Sequence, residues 1–134
     1  MALTGKRIFI VEDDLNNRIV VEMLLSNNGA HTSFERWGTD TVKLLQRFAP
    51  VDVIILDLMF PKGISGYEIF DEIRQDDAFK TVPIVAVSAA EPNEAIRKTK
   101  AKGFAGFIAK PIDFRLFPQQ IAAIIAGENI WYKR

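Results

Sequence analysis

Residues 53–61 read Val53-Ile54-Ile55-Leu56-Asp57-Leu58-Met59-Phe60-Pro61, an apolar run with one carboxylate set near its far end. A run of branched aliphatic residues with no polar alternation suits a strand covered on both faces, as in a parallel sheet. Reading the strand as residues 51–56 leaves Asp57 at its carboxyl end. Burying a charge there without a partner is costly, so the aspartate needs a reason to be where it is.

Working outward, the same pattern recurs. Residues 6–11 (KRIFIV), 30–35, 82–87 (VPIVAV) and 104–109 are further strand candidates. Between them lie helical spacings. Leu15, Ile19 and Met23 recur at every fourth position, with Val20 and Leu24 alongside, and predict a helix over 15–28 that Gly29 closes in a left-handed conformation. Val42, Leu45 and Phe48 share one face of a helix over 39–48. Further helices are predicted over 67–74, 93–102 (ended by Gly103) and 118–126, with Pro118 suited to a first helical position. Five strands each followed by a helix predict an α/β fold, a doubly wound parallel sheet in a single domain spanning 1–134.

Composition narrows the chemistry. The 134 residues are 49% hydrophobic and 25% charged, within the ordinary globular range. Seventeen basic residues balance seventeen acidic ones, which leaves no global field to attract nucleic acid or anionic lipid. With no cysteine, disulfides, thiolate metal sites and thiol nucleophiles are excluded, and the single His31 rules out a multi-histidine centre. No apolar run reaches the roughly 20 residues of a membrane span, and no signal-peptide pattern opens the chain, so a cytoplasmic setting is expected.

In doubly wound sheets ligands bind beyond the carboxyl ends of the strands. Here those ends carry Glu12-Asp13-Asp14, Asp57, Ser88 and Lys110-Pro111. Several carboxylates in one pocket repel one another unless a hard cation joins them, and Mg²⁺ with its preference for oxygen fits. Lys110 and the Ser88 hydroxyl would face a phosphoryl group, and Asp57 would be the nucleophile toward phosphorus. Asp14 is the exception, expected to cap the first helix instead.

Four segments in order, IVEDD, LDLMFP, AVSAA and FIAKP, resemble the receiver domain of two-component response regulators, including stand-alone chemotaxis-type receivers. The match runs from Lys6 to about Ile125. It implies a flavodoxin-like fold of five parallel strands in the order 2-1-3-4-5 with five helices. It also implies roles: Asp57 as phosphoacceptor; Glu12, Asp13, Asp57 and the backbone carbonyl of Met59 as Mg²⁺ ligands; Ser88 and Lys110 as partners of the phosphoryl group. Phe107 stands at the aromatic position that changes rotamer in relatives as the Ser88-type hydroxyl moves, and the Lys110–Pro111 bond is expected to be cis.

The implied function is phosphorelay signalling. A histidine kinase or phosphotransfer protein supplies the phosphoryl group, and a downstream protein reads the face made by the fourth helix, fifth strand and fifth helix. Such a protein is not an enzyme toward external substrates; it promotes only its own phosphorylation and dephosphorylation. No nucleic-acid or membrane partner is implied, and a homodimer is left open.

The chain departs from the family pattern in places. The loop 61–66 is one residue longer than the usual form, and Ser65 stands where an aspartate is common. Phe107 replaces a frequent tyrosine. Met59 and Ala90 offer no acid or amide to orient an attacking water, so a long-lived phospho-state is expected. Other readings fit these residues less well. A phosphatase of the haloacid-dehalogenase type needs an acid two residues after its nucleophile, where this chain has Met59. A phosphate-blind scaffold fits poorly with an acceptor and a lysine both present, and a flavin carrier lacks a phosphate loop after the first strand. The bases of the fourth helix, Arg97, Lys98, Lys100 and Lys102, read best as a solvated face near a helix C-terminus. Trp131 and Tyr132, beyond the last helix, either cap the core or join a dimer contact. No output domain follows the last predicted helix, so action by docking is expected.

Overall fold

A computed structural model of the chain describes residues 1–60 and 63–133. The five expected strands are β1 (Arg7–Val11), β2 (His31–Glu35), β3 (Val53–Leu56), β4 (Ile84–Ser88) and β5 (Gly106–Ala109). The helices are α1 (Leu15–Asn27), α2 (Thr41–Phe48), α3 (Gly66–Gln75), α4 (Pro92–Lys102) and α5 (Phe117–Ile125), with a short 3₁₀ turn at Asp77–Phe79. Beyond them comes β6 (Ile130–Tyr132), which the sequence reading does not contain. All neighbours pair in parallel, in the order β2-β1-β3-β4-β5-β6. The expected order of five therefore holds, and a sixth strand extends it.

Every residue of β3, β4 and β5 is buried, which is why those segments read as unbroken apolar runs. One face of the sheet packs Phe9, Ile54, Leu56 and Phe107 against Leu45 of α2, Ile69, Phe70 and Ile73 of α3 and Ala95 of α4. The other packs Ile8, Ile10, Ile55 and Ile108 against Val21 and Leu25 of α1 and Phe117, Ile121 and Ile124 of α5. Each such side chain contributes about 1.5–3 kcal/mol of burial, so the two layers together outweigh any helix propensity in fixing the topology.

The helix of α1 forms where its spacing predicts, but the stripe that gave the spacing faces solvent. Leu15, Ile19 and Met23 are 50%, 49% and 54% exposed, and Val21 and Leu25 turn inward instead. Apolar residues surround most of this helix, so periodicity alone had no polar face with which to orient it. The capping residues behave as expected. Asp14 Oδ1 accepts the Asn17 N–H at 2.9 Å, and Gly29 and Gly103 both adopt positive φ behind their helices. Pro118 falls at the second rather than the first position of α5.

The β3–α3 loop closes through a bridge between Met59 and Ser65. Ser65, the position where an aspartate is common in relatives, is the N-cap of α3 and accepts the Glu68 N–H at 3.3 Å. Of the loop expected to be one residue longer, Pro61 and Lys62 lie outside the described residues. Lys110–Pro111 is cis, as the resemblance implied; a second cis bond, Ala49–Pro50, has no counterpart in the sequence reading. Among the described residues no helix is long and apolar enough to cross a membrane.

Candidate functional site

Parallel pairing in register carries the ends of β1, β3 and β5 to one edge of the sheet, and the polar residues follow. Glu12, Asp13, Asp14, Asn17, Asp57, Met59, Ala89 and Lys110 line one cavity of 230 Å³. Asp57 follows β3 and is only 8% exposed. Its Oδ1 accepts the backbone N–H of Leu58 at 2.7 Å and of Met59 at 3.3 Å, and its Oδ2 accepts from Lys110 Nζ at 3.0 Å. Lys110 Nζ also donates to Glu12 Oε1 at 2.5 Å, and Glu12 Oε2 accepts the Asp14 N–H at 3.1 Å. The buried aspartate of the opening stretch thus has its partner, an ammonium 53 residues away in sequence.

The electrostatics follow from burial around three charges. Burial pushes the Glu12 carboxyl above its usual value; the Lys110 hydrogen bond opposes this and the neighbouring Asp57 charge adds to it. Burial pulls the Lys110 ammonium down, but the charges and hydrogen bonds of Asp57 and Glu12 outweigh it and leave its pKa raised. Lys110 therefore carries its charge throughout the neutral range.

The donor set suits a hard cation. Glu12, Asp13 and Asp57 offer carboxylate oxygens to the same cavity, and Asp13 Oδ1 is buried with no hydrogen bond among the described residues. Its neighbour is the Arg36 guanidinium at 3.9 Å. A buried carboxylate oxygen without a donor is the kind of group that a metal satisfies. Lys110 joins Glu12 to Asp57, and no three acidic or histidine side chains among the described residues close around a common point.

Ser88 stands apart from the other expected residues. It is fully buried at the end of β4, its Oγ accepts the Ala90 N–H at 3.2 Å, and it does not line the cavity. Its backbone carbonyl receives the Lys110 N–H at 3.0 Å, so the two residues are tied by main chain and not by side chain. Phe107 is fully buried and pairs with Ala86 on one side and Trp131 on the other.

Two contributors escaped the sequence reading. Asn17, on the first turn of α1, lines the cavity, and only the fold shows which side of that turn faces Asp57. Gly66 opens α3 directly against the acceptor strand. A Cβ there would collide with the Asp57 carbonyl oxygen and lie 2.7 Å from Leu58 Cα, while its own N–H bonds the Leu58 carbonyl at 3.0 Å. A glycine after a serine at the start of a predicted helix was the available signal.

The geometry and the comparisons agree on the class. The chain belongs to the response regulator receiver domain family, whose model matches residues 8–122. It is 30% identical to the transcriptional regulatory protein AfsQ1 of Streptomyces coelicolor over 88% of its own length, but it spans only 50% of that relative. It is 28% identical to the polar-differentiation response regulator DivK of Brucella anthropi, covering 90% of this chain and 96% of DivK. Among solved structures, the receiver domain of the sensor histidine kinase PA1611 of Pseudomonas aeruginosa, which has a magnesium ion coordinated in its active-site cleft, superimposes with a TM-score of 0.79 at 28% identity. That match covers 92% of this chain and 100% of the other. The chemotaxis response regulator CheY4 of Vibrio cholerae has the same fold, with a TM-score of 0.81 at 24% identity over 90% of this chain and 99% of that one. Receivers of this family are regulators in two-component signalling, where they meet histidine kinases and downstream targets.

Proposed function

We propose that this receiver accepts a phosphoryl group on Asp57 from a phosphohistidine of a cytoplasmic kinase or phosphotransfer protein. The observation that carries the reading is the buried Asp57 carboxylate, held by two backbone N–H groups and the Lys110 ammonium at the floor of an acid-lined cavity. A carboxylate oxygen of Asp57 attacks phosphorus, an acyl phosphate bond forms, and the phosphorus–nitrogen bond breaks with its electron pair leaving on the donor imidazole. Lys110 pairs with the phosphoryl oxygens as they arrive, and the Ser88 hydroxyl turns from its Ala90 contact to donate to one of them. Glu12, Asp13, Asp57 and the Met59 carbonyl would hold Mg²⁺, which when bound neutralises charge on the phosphoryl oxygens. The chain itself promotes only this transfer and the later hydrolysis of the acyl phosphate, in which water takes the phosphoryl group as inorganic phosphate and the Asp57 carboxylate is restored.

The donor docks beside the cavity. An apolar hollow of 210 Å³, lined by Val20, Val21, Ile112 and Phe114 among others, opens next to Lys110. Phe114, one of its lining residues, is 60% exposed. A helical donor presenting its histidine over Asp57 would cover this hollow. The downstream target reads the face of α4, β5 and α5.

Mass spectrometry after incubation with acetyl phosphate and Mg²⁺ tests the acceptor directly. One phosphate is expected on Asp57, and none on the Asp57→Asn chain. Phosphate elsewhere, or none on the unaltered chain, overturns the reading.

A further inference from the structure

The face expected to report phosphorylation is already covered. β6 runs along the free edge of β5, with Gly106, Phe107 and Ile108 opposite Ile130, Trp131 and Tyr132. Side chains alternate along a strand, so these three residues divide between the two layers. Trp131 packs on the α4 side with Phe107, while Ile130 and Tyr132 pack on the α5 side. Two further contacts tie the segment to α4. Lys100 Nζ lies 5.1 Å from the Trp131 ring centre, and Lys133 Nζ donates to Asn93 Oδ1 at 3.0 Å.

The sheet makes room for this strand. A Cβ on residue 106 would sit 2.5 Å from the Ile130 carbonyl oxygen and 3.3 Å from Ile124, so only glycine lets β6 approach. The cover is nevertheless slight. It is three residues long, all half-buried, and paired on one side only.

A line of side chains connects it to the site. Ala86 pairs with Phe107 and Ser88 with Ala109, so Ser88, Phe107 and Trp131 all project from the same face of adjacent strands. Ser88 and Phe107 are both fully buried. If the Ser88 hydroxyl turns toward a phosphoryl group, it vacates space next to Phe107. In a close-packed interior that space is filled by the nearest movable group. Phe107 shifts toward Ser88, and Trp131 loses the ring behind it.

We propose that β6 is a strand held in cis over the α4–β5–α5 face, and that phosphorylation loosens it by way of Ser88, Phe107 and Trp131. This rests on Asp57 being the phosphoacceptor. The docking face would then be opened by the signal as well as reshaped by it.

The test uses the whole chain carrying Trp37→Phe, which leaves Trp131 as its one tryptophan. Acetyl phosphate and Mg²⁺ are added, Asp57 phosphorylation is followed by intact mass, and hydrogen exchange over 129–133 and acrylamide quenching of Trp131 are read in parallel. At least fivefold faster exchange, with stronger quenching in the phosphorylated chain, is expected. Phosphate on Asp57 with exchange and quenching unchanged overturns the inference and leaves the acceptor standing. Absence of phosphate overturns both. In a Phe107→Leu chain that still takes up phosphate, a diminished response supports the route through Phe107, and an undiminished one overturns it.

Discussion

Lys110 Nζ lies 3.0 Å from Asp57 Oδ2 and so joins the end of β5 to the end of β3 across the intervening strand β4. The same ammonium is 2.5 Å from Glu12 Oε1 at the end of β1. One cation therefore balances two largely buried carboxylates, and removing it leaves them facing each other. Lys110→Met is expected to cost about 3 kcal/mol at neutral pH, read as a lowered urea midpoint, because a buried pair stripped of one partner leaves uncompensated charge. Adding Glu12→Gln should recover part of the loss. The sign with pH follows from the raised Lys110 pKa: its contribution is complete below the unfolded value and is lost only as pH rises through a folded value above 10.5.

Glu12 behaves in the opposite sense. Burial first, then the Asp57 charge, raises its pKa above 4.5. A carboxyl with a raised folded pKa binds its proton more readily folded than unfolded, so its ionised form opposes folding above that pKa. The cost disappears as pH falls through it. Mg²⁺ needs the ionised form, so its affinity should fall by up to about tenfold per pH unit below the Glu12 pKa. Titrating Mg²⁺ against melting temperature at several pH values measures this; an affinity that is flat with pH down to 4.5 contradicts it.

Gly66 should be intolerant of any side chain. Gly66→Ala places a methyl group against the Asp57 carbonyl and Leu58 Cα, both main-chain atoms that cannot swing aside. An overpacking cost of about 1–3 kcal/mol is expected, together with slower phosphorylation by acetyl phosphate because the acceptor strand end is displaced. Wild-type stability and rate in this variant would show that α3 can retreat.

Phe114, exposed and lining the hollow next to Lys110, separates donor recognition from chemistry. Phe114→Asp removes apolar surface without entering the core, so stability should change by no more than about 0.5 kcal/mol. Transfer from a phosphohistidine protein should slow at least several-fold, while the rate with acetyl phosphate stays unchanged. Equal slowing with both donors would place the effect on the site instead.

Met59, well exposed beside the cavity, carries no group that can orient a water for attack on an acyl phosphate. The phospho-state is expected to persist for minutes or longer with Mg²⁺ present, and Met59→Asn to shorten it several-fold. Loss within seconds in the unaltered chain would show that water is activated elsewhere.

The sequence by itself determined the layers and which polar residues meet at the strand ends. Branched aliphatic runs such as Val53-Ile54-Ile55-Leu56 can only be buried on both faces, so they declare a covered parallel sheet, and strand ends are where such a sheet stops hiding its chain. That placed Glu12, Asp13, Asp57 and Lys110 together before any coordinates did. Three things needed the tertiary structure. The inward face of α1 was undecidable because apolar residues encircle it, and only the sheet beneath selected Val21 and Leu25. Ser88 needed a neighbour to hold it, and the Ala90 N–H, not the cavity, does so. Ile130–Tyr132 is too short to show a period of its own; it becomes a strand because β5 offers an open edge and Gly106 leaves space for it. Local pattern fixes what a segment must bury, whereas the choice among equivalent faces and edges belongs to whatever packs against it.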